Sequence, residues 1–342
     1  MSNINTYIGV DLHKKTCYMT VMDQAGVVSK QTEIKNDKES IEKFFNNYPN
    51  DAKVAVESTM NWMPFYEQVE ALGFSVVLSN PLMTKAIAAA RIKNDKVDSK
   101  ILAELMRTDF LPTAYIQPKD IRDLKEIIRQ RAVYVGMRTR VKNKIHSILF
   151  KTGVKSPVKS PFSKAGRKWL AGVELGAVYR IELDRYLLTL ETFDSQLKEM
   201  EKDVELKAKA DYDCKLLCTI PGVGSYTALM IKSEIGDIKR FNSAGKLCSY
   251  AGLIPSTYAS GEKIRTGSIT KRGSKWLRTA LVDAVTSSSR NTNKISVFYK
   301  KLKKSKGTGK AKVAAARKLC SVIFAMLNDR QPFREFVPVK QR

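Results

Sequence analysis

Histidine is almost missing from this 342-residue chain: His13 and His146 are its only two. That scarcity argues against a histidine-built metal site, and their positions leave no Ser-His-Asp arrangement. Cysteine is sparse and scattered. Cys17, Cys214, Cys218, Cys248 and Cys320 form an odd set without a Cys-x-x-Cys pair. They fit reduced thiols and exclude a disulfide framework or a zinc ribbon. No apolar run reaches the roughly 18 residues of a membrane span. The first residues, Met1 to Thr6, lack the basic stretch, apolar core and cleavage site of a signal peptide. The expected location is therefore cytoplasmic, with no membrane partner. Acid is also in short supply, with 34 Asp and Glu against 60 Lys and Arg, a net charge of +26. A hydrophobic content of 43% still allows two or three domains with real cores.

The charge is unevenly placed. Residues 1–98 carry 11 basic and 12 acidic groups, whereas residues 119–168 carry 15 against 3 and residues 261–318 carry 17 against 2. Two strongly basic stretches repel themselves unless a polyanion offsets them, so the pattern predicts a near-neutral module flanked by two nucleic-acid-binding modules.

The acids of the neutral module stand at telling places. Tyr7-Ile8-Gly9-Val10-Asp11 and Val54-Ala55-Val56-Glu57 read as short buried strands whose last residue turns polar. Asn94-Asp95-Lys96-Val97-Asp98 opens a helical run, which sets Asp95 and Asp98 on one face. Each acid alone has an ordinary explanation, and Asp95 in particular fits a helix cap. Capping does not explain acids at two strand ends. Four gathered carboxylates repel unless a cation lies between them, and oxygen donors select Mg²⁺, with Mn²⁺ as the substitute. Asp11, Glu57, Asp95 and Asp98 are thus the candidate metal-binding and catalytic quartet for phosphodiester chemistry.

Periodicity to about residue 109 predicts three strands, a helix, then alternating strands and helices: an α/β domain with a mixed sheet, as in ribonuclease H-like nucleases. A long helix is expected over 119–149 and an extended basic linker over 153–161. Leu183, Leu190, Leu197 and Val204 then recur every seven residues, with Tyr186, Phe193 and Met200 at the complementary offset. This pattern predicts a coiled coil and favours dimerisation. A hairpin with the 119–149 helix is the alternative.

Farther on, Pro221-Gly222-Val223-Gly224 between two helices forms a helix-hairpin-helix signature, with Gly222 and Gly224 admitting a phosphate to backbone N–H groups. Ser260-Gly261 is followed by Arg265, Lys271, Arg272, Lys275 and Arg278. A hydroxyl on flexible backbone beside cations that grip phosphate oxygens suits nucleophilic attack on phosphorus, though a basic turn with incidental serines has the same composition. Arg138, Arg140 and Lys142 of the first basic stretch are further nucleic-acid contacts.

Taken in order, Gly9-Val10-Asp11-Leu12-His13-Lys14, Glu57-Ser58-Thr59, Lys93 to Asp98, Pro221 to Gly224, Gly252-Leu253-Ile254-Pro255, Ser260-Gly261 and Lys271 to Arg278 resemble the DEDD insertion-sequence transposases. These are relatives of the Piv-type DNA invertases and include the bridge-RNA-guided recombinases. The resemblance implies a RuvC-like domain over 1–112, a helical coiled-coil insertion over 113–210, and a mainly α C-terminal transposase domain over 211–342. It also implies Ser260 as the nucleophile of a phosphoserine intermediate, with Ser256 four residues upstream as the competing choice. Donor and target DNA duplexes, a noncoding guide RNA and a dimeric to tetrameric assembly, with the quartet of one protomer meeting the serine of another, follow from the resemblance alone. Activity on the nucleoid follows in the same way. Two other readings stay open: a RuvC-like junction-resolving endonuclease that uses water, and a non-catalytic nucleic-acid-binding protein.

Overall fold

The apolar run at the N-terminus is the hub of a sheet. In the computed structural model, which describes residues 6–88, 94–260 and 263–334, Thr6–Leu12 forms β1 and is buried along almost its whole length. A strand covered on both faces needs such a continuous apolar run. It is followed by β2 (Thr16–Asp23) and β3 (Val28–Lys35), then α1 (Lys38–Phe45), β4 (Lys53–Glu57), α2 (Trp62–Ala71), β5 (Ser75–Ser79), α3 (Pro81–Ile87), α4 (Asp95–Arg107) and the short β6 (Thr113–Ala114). The strand order is β3-β2-β1-β4-β5-β6, with β1, β4 and β5 parallel and the remaining pairs antiparallel. β3, with its Ser, Lys, Gln and Glu, supplies a polar edge. This unit spans residues 1–116. It is the mixed α/β sheet that the strand pattern predicts.

Strand alternation divides the unit into two layers of contact. Ile8, Val10, Val54 and Val56 join Phe45, Phe65 and Val69 in the core on one side, the side of α1 and α2. Tyr7 and Ala55 face the other way and meet Leu102 and Met106 of α4. Period two therefore places Gly9 and Asp11 with Tyr7, and Glu57 with Ala55, on the α4 side. Gly9 has no room for a side chain there: a Cβ would lie 2.0 Å from the Ser99 carbonyl oxygen and 2.6 Å from the Ala103 nitrogen. The helix backbone rests directly on the strand.

Residues 117–342 form the second unit, whose described residues are helical apart from one hairpin. Its elements are α5 (Lys119–Lys151), α6 (Lys164–Gly172), α7 (Ala177–Ala210), α8 (Tyr212–Cys218), α9 (Ser225–Ile235), α10 (Ala244–Tyr250), β7 (Pro255–Ser260), β8 (Lys263–Ile269), α11 (Lys275–Ser288) and α12 (Lys294–Asp329), the last interrupted at Gly307. The hairpin β7–β8 replaces the turn that the Ser-Gly and basic motif suggests, because Tyr258, Thr257, Ile264, Thr266 and Ile269 favour paired strands.

The seven-residue seam of α7 is filled within the chain. Leu183, Leu190, Leu197 and Val204 are all buried, with Leu183 and Leu190 against Ile145, Ile148 and Leu149 of α5 and Val204 in the cluster that contains Ile128. Arg131 reaches Glu201 at 2.8 Å and Arg138 reaches Asp194 at 3.1 Å, so α5 and α7 run antiparallel. The repeat read as favouring dimerisation is thus satisfied by the hairpin, which needs the same apolar spacing. Truncating Leu197 to Ala should cost about 2–5 kcal/mol in the isolated chain. Thermal unfolding should show a loss independent of protein concentration, and a loss that shrinks as concentration rises would place the seam between chains.

Candidate active site

The carboxylates of the first unit converge where the parallel strands end. Val10 and Val56 are register partners on β1 and β4, so Asp11 and Glu57 leave adjacent strands side by side. α4 brings the other two. Its N-cap is Asn94, whose side chain accepts from the Val97 N–H at 2.8 Å. That settles the capping question for Asp95, which sits in the first turn, exposed, with its carboxylate free of the cap bond. Acids in a first turn are favoured by the helix dipole. The turn is fixed against the sheet by a buried hydrogen bond of 2.7 Å between the Thr20 and Ser99 hydroxyls, and Gln31 donates to both the Thr20 hydroxyl and the Lys96 carbonyl.

One participant was discounted in the sequence. His13 lies between two of the acids, its Nε2 3.4 Å from Asp11 Oδ2 and 3.2 Å from Asp95 Oδ2. Ligand atoms of Asp11, His13 and Asp95 lie within 4.8 Å of one another, a span that one cation bridges. The loop that carries His13 is held by its backbone: the His13 carbonyl accepts from Asn36 Nδ2 at 2.8 Å and Asn61 Nδ2 at 3.0 Å. Asn61 belongs to the loop after Glu57, so the two loops share a tie. Histidine counting argued against a histidine-built site, but it does not exclude a single imidazole in a carboxylate set. The position two residues after a strand-end Asp was the available signal.

Burial pushes the Asp11 carboxyl from 3.8 up to about 6; His13 opposes the rise, and Asp95, Asp98 and Glu57 reinforce it. The acids therefore sense one another across the site. Oxygen donors with one nitrogen suit Mg²⁺ or Mn²⁺, and a bound cation would relieve the repulsion that raises Asp11. Glu57 and Asp98 also line a cavity of about 270 Å³. A larger cavity of about 450 Å³ lies in the second unit near Pro332 and Phe333 and contains none of the predicted site residues.

In the second unit the serine motif is a β-hairpin. Ser260 ends β7 and pairs with Lys263; its side chain and Gly261 lie outside the described residues. Ser256 has its hydroxyl engaged, donating to the Ser268 carbonyl at 3.1 Å. Arg265, Lys271, Arg272 and Lys275 are exposed. Arg278 instead turns inward and donates to the Ala251 carbonyl at 3.0 Å and the Lys271 carbonyl at 3.4 Å, which holds the turn before α11. Ser274 caps α11 and donates to Glu234 at 2.8 Å. Glu234, fully buried on α9, also accepts from Arg129 Nε at 2.8 Å and lies 3.7 Å from Lys125 Nζ. No sequence pattern singled out this carboxylate, which ties α5, α9 and the basic motif together.

The remaining predicted contacts divide in the same way. Gly224, the exposed N-cap of α9, has open space around it, whereas a Cβ on Gly222 would lie 2.4 Å from the Ser288 nitrogen. Gly222 is thus required by the close approach of α11. Arg138 is paired with Asp194, Lys142 lies over the Phe162 ring, and Arg140 is exposed.

Comparison with known proteins identifies the family. Residues 8–153 match the DEDD transposase model and residues 214–300 match the model of the transposase IS116/IS110/IS902 family. The chain belongs to the IS110 family of DEDD transposases. It is 27% identical over 285 residues to a transposase for insertion sequence element IS1111A from Coxiella burnetii, covering 79% of this chain and 76% of that protein. It is 29% identical over 269 residues to a pilin gene-inverting protein of Moraxella lacunata, covering 75% and 74%. The first match contains Asp11, Glu57, Asp95 and Asp98 and runs on through α5 of the second unit, and the second match contains the β7–β8 hairpin.

The raised Asp11 carboxyl has a cost in the metal-free protein. With the folded value above the unfolded one, the penalty is absent below about pH 4 and complete above about pH 6, on the order of 1–3 kcal/mol. Asp11→Asn should therefore increase amide-exchange protection of β1 and β4 near neutral pH in chelator, and the gain should disappear in acid. Equal protection at neutral pH would contradict the electrostatic account.

Proposed function

We propose that this protein is a DNA transposase that cleaves and exchanges strands through a covalent phosphoserine. The observation that carries the reading is the meeting of strand-borne Asp11 and Glu57 with helix-borne Asp95 and Asp98, with His13 between Asp11 and Asp95. A bound Mg²⁺ would stabilise negative charge on the scissile phosphate and on the leaving oxygen. Asp11, Glu57, Asp95 and Asp98 would hold it, with His13 adding a nitrogen donor that extends the choice of ion toward Mn²⁺.

Ser260 is the nucleophile in this reading. Its Oγ forms a bond to phosphorus as the bond from phosphorus to the 3′ oxygen breaks; the serine loses its proton to solvent, and the departing 3′ oxygen gains one. One phosphodiester replaces another, so a 3′ hydroxyl of a second duplex reverses the step without ATP. The engaged hydroxyl of Ser256 favours Ser260 over its neighbour. Arg265, Lys271, Arg272 and Lys275 grip the phosphate backbone, and Gly224 lets it approach α9 in the manner of a helix-hairpin-helix element. Arg278 is assigned to the turn instead. The two basic stretches accommodate DNA and a guide RNA, and the exchange of two duplexes calls for an oligomer, up to a tetramer.

Metal binding separates the site from the rest. In Mn²⁺ titrations followed by electron paramagnetic resonance, Asp11→Asn and Asp98→Asn should each weaken binding at least about tenfold and abolish strand exchange while DNA binding survives. His13→Ala should remove the nitrogen coupling from the bound-ion spectrum. Strand exchange at a substantial fraction of the wild-type rate in either carboxylate variant would remove the quartet from the chemistry.

The serine separates a recombinase from a nuclease. Wild-type protein incubated with a nicked suicide substrate should become linked to DNA, with peptide mapping placing the adduct on Ser260, and Ser260→Ala should bind DNA without forming it. An adduct on Ser256 would move the nucleophile within the hairpin. Normal cleavage by Ser260→Ala with no wild-type adduct would instead identify a junction-resolving endonuclease that uses water.

A further inference from the structure

The cavity beside the carboxylates has features the metal reading does not use. Ser79 ends β5 as the register partner of Glu57, so the two side chains project to the same face of the sheet. Ser79 is fully buried, and among the described residues its hydroxyl has no hydrogen-bond partner; the Thr84 hydroxyl on α3 is likewise buried and unpaired among them. Both line the cavity with Glu57 and Asp98, and Leu82 and Ile101 contribute apolar wall. Buried hydroxyls without partners are uncommon because their desolvation is not returned. Two on residues that line one cavity point to a ligand that completes them.

The chemistry of the walls narrows that ligand. An anion would meet Glu57 and Asp98, and a purely apolar group would leave both hydroxyls unpaired. A flat heterocycle with donors and acceptors on its edge suits apolar walls and two hydroxyls that can each donate and accept. At about 270 Å³ the cavity falls below the usual drug-sized range and suits one such ring rather than a stacked pair. Its surroundings are unusually apolar for an exposed rim: Leu82, Met83 and Ile87 of α3 are exposed, as is Met60 in the loop after Glu57. Lys85, also exposed at the cavity, can meet a phosphate.

We propose that this cavity receives the unpaired nucleobase of a nucleotide flanking the scissile phosphate, with Ser79 and Thr84 bonding its edge. The proposal rests on the reading that the neighbouring carboxylates act on a phosphodiester. Drawing one base out of the stack fixes the phosphate beside the acids, and it makes the nucleotide at that position a determinant of where the strand is cut.

The test uses the full chain, Ca²⁺ in place of Mg²⁺, and a short single-stranded oligothymidylate containing one fluorescent purine analogue. Binding is followed separately by anisotropy of an end-labelled copy. On binding to wild type, the purine emission should rise and become shielded from acrylamide. Thr84→Val and Ser79→Ala should each weaken the shielded complex about 3- to 10-fold, and Thr84→Phe, which fills the cavity, should abolish shielding while anisotropy still reports binding. Circular dichroism melting confirms that each variant folds. Binding with unshielded purine in wild type, or shielding unchanged in Thr84→Phe, would overturn the base site and leave the transposase reading standing. No anisotropy change with wild type, together with no Mn²⁺ binding, would overturn both.

Discussion

The close approach of α4 to β1 at Gly9 is the contact that brings the first unit's acids together. Acids at strand ends and acids in a helix turn belong to different layers, and an ordinary helix-on-sheet distance would keep them apart. With no side chain at Gly9, the Ser99 and Ala103 backbone settles on the strand, and the first turn of α4 is drawn down to the level of Asp11. The Thr20 to Ser99 hydrogen bond fixes the helix along its axis at the same place. A strand residue beside Gly9, Thr20 is its register partner on β2, so the close approach and the tether act at one point. Position along the sheet and distance from it are thereby set together.

In the second unit the corresponding anchor is a charge. Glu234 is buried among Lys125, Arg129 and Ser274, and such a group is tolerated only when its lone pairs are fully engaged. The arrangement costs Lys125 part of its basicity, burial lowering it below the usual lysine range. In return, the turn that carries Lys271 and Arg272 is joined to the long helix α5. Arg278, sequestered on backbone carbonyls, strengthens the same turn from within. A basic motif thus divides into cations that shape a loop and cations left outside for a polyanion, a division that charge counting over residues 261–318 does not reveal.

Much of the fold was legible because its signals are local. The strands that carry Asp11 and Glu57 near their ends, the helix capped by Asn94 and the seven-residue seam of α7 all follow from patterns within a few turns of chain. What escaped depends on contacts between distant segments. Leu183 to Val204 carry the same spacing whether the partner is α5 or another copy, so only the positions of Ile145, Ile148 and Leu149 decide between them. His13 acquires its place from Asn36 and Asn61 as well as from its own neighbours. Gly222 in the Pro-Gly-Val-Gly motif reads as a phosphate-approach glycine, yet the backbone of α11 is what demands it. For Ser260 the hairpin was hidden by glycine and serine composition, although its β-branched and aromatic neighbours favoured strands.

The first unit also shows why acids so placed are a poor solution for stability alone. Asp11 is buried in a sheet end, where burial foremost and three further carboxylates after it raise its carboxyl to about 6, and near neutral pH the metal-free fold carries that cost. His13 offsets only part of it. A chain selected for stability would place an uncharged residue at Asp11, as the alternation of β1 would accommodate without strain. The unit nevertheless keeps its acids while the chain concentrates its excess of lysine and arginine elsewhere, over 119–168 and 261–318. Neutralising the acids with nearby lysines would stabilise the unit but would occupy the very oxygens that a divalent ion requires. On the proposed function, keeping the acids apart from the two basic stretches resolves that conflict: each charge set stays available for a ligand of opposite sign.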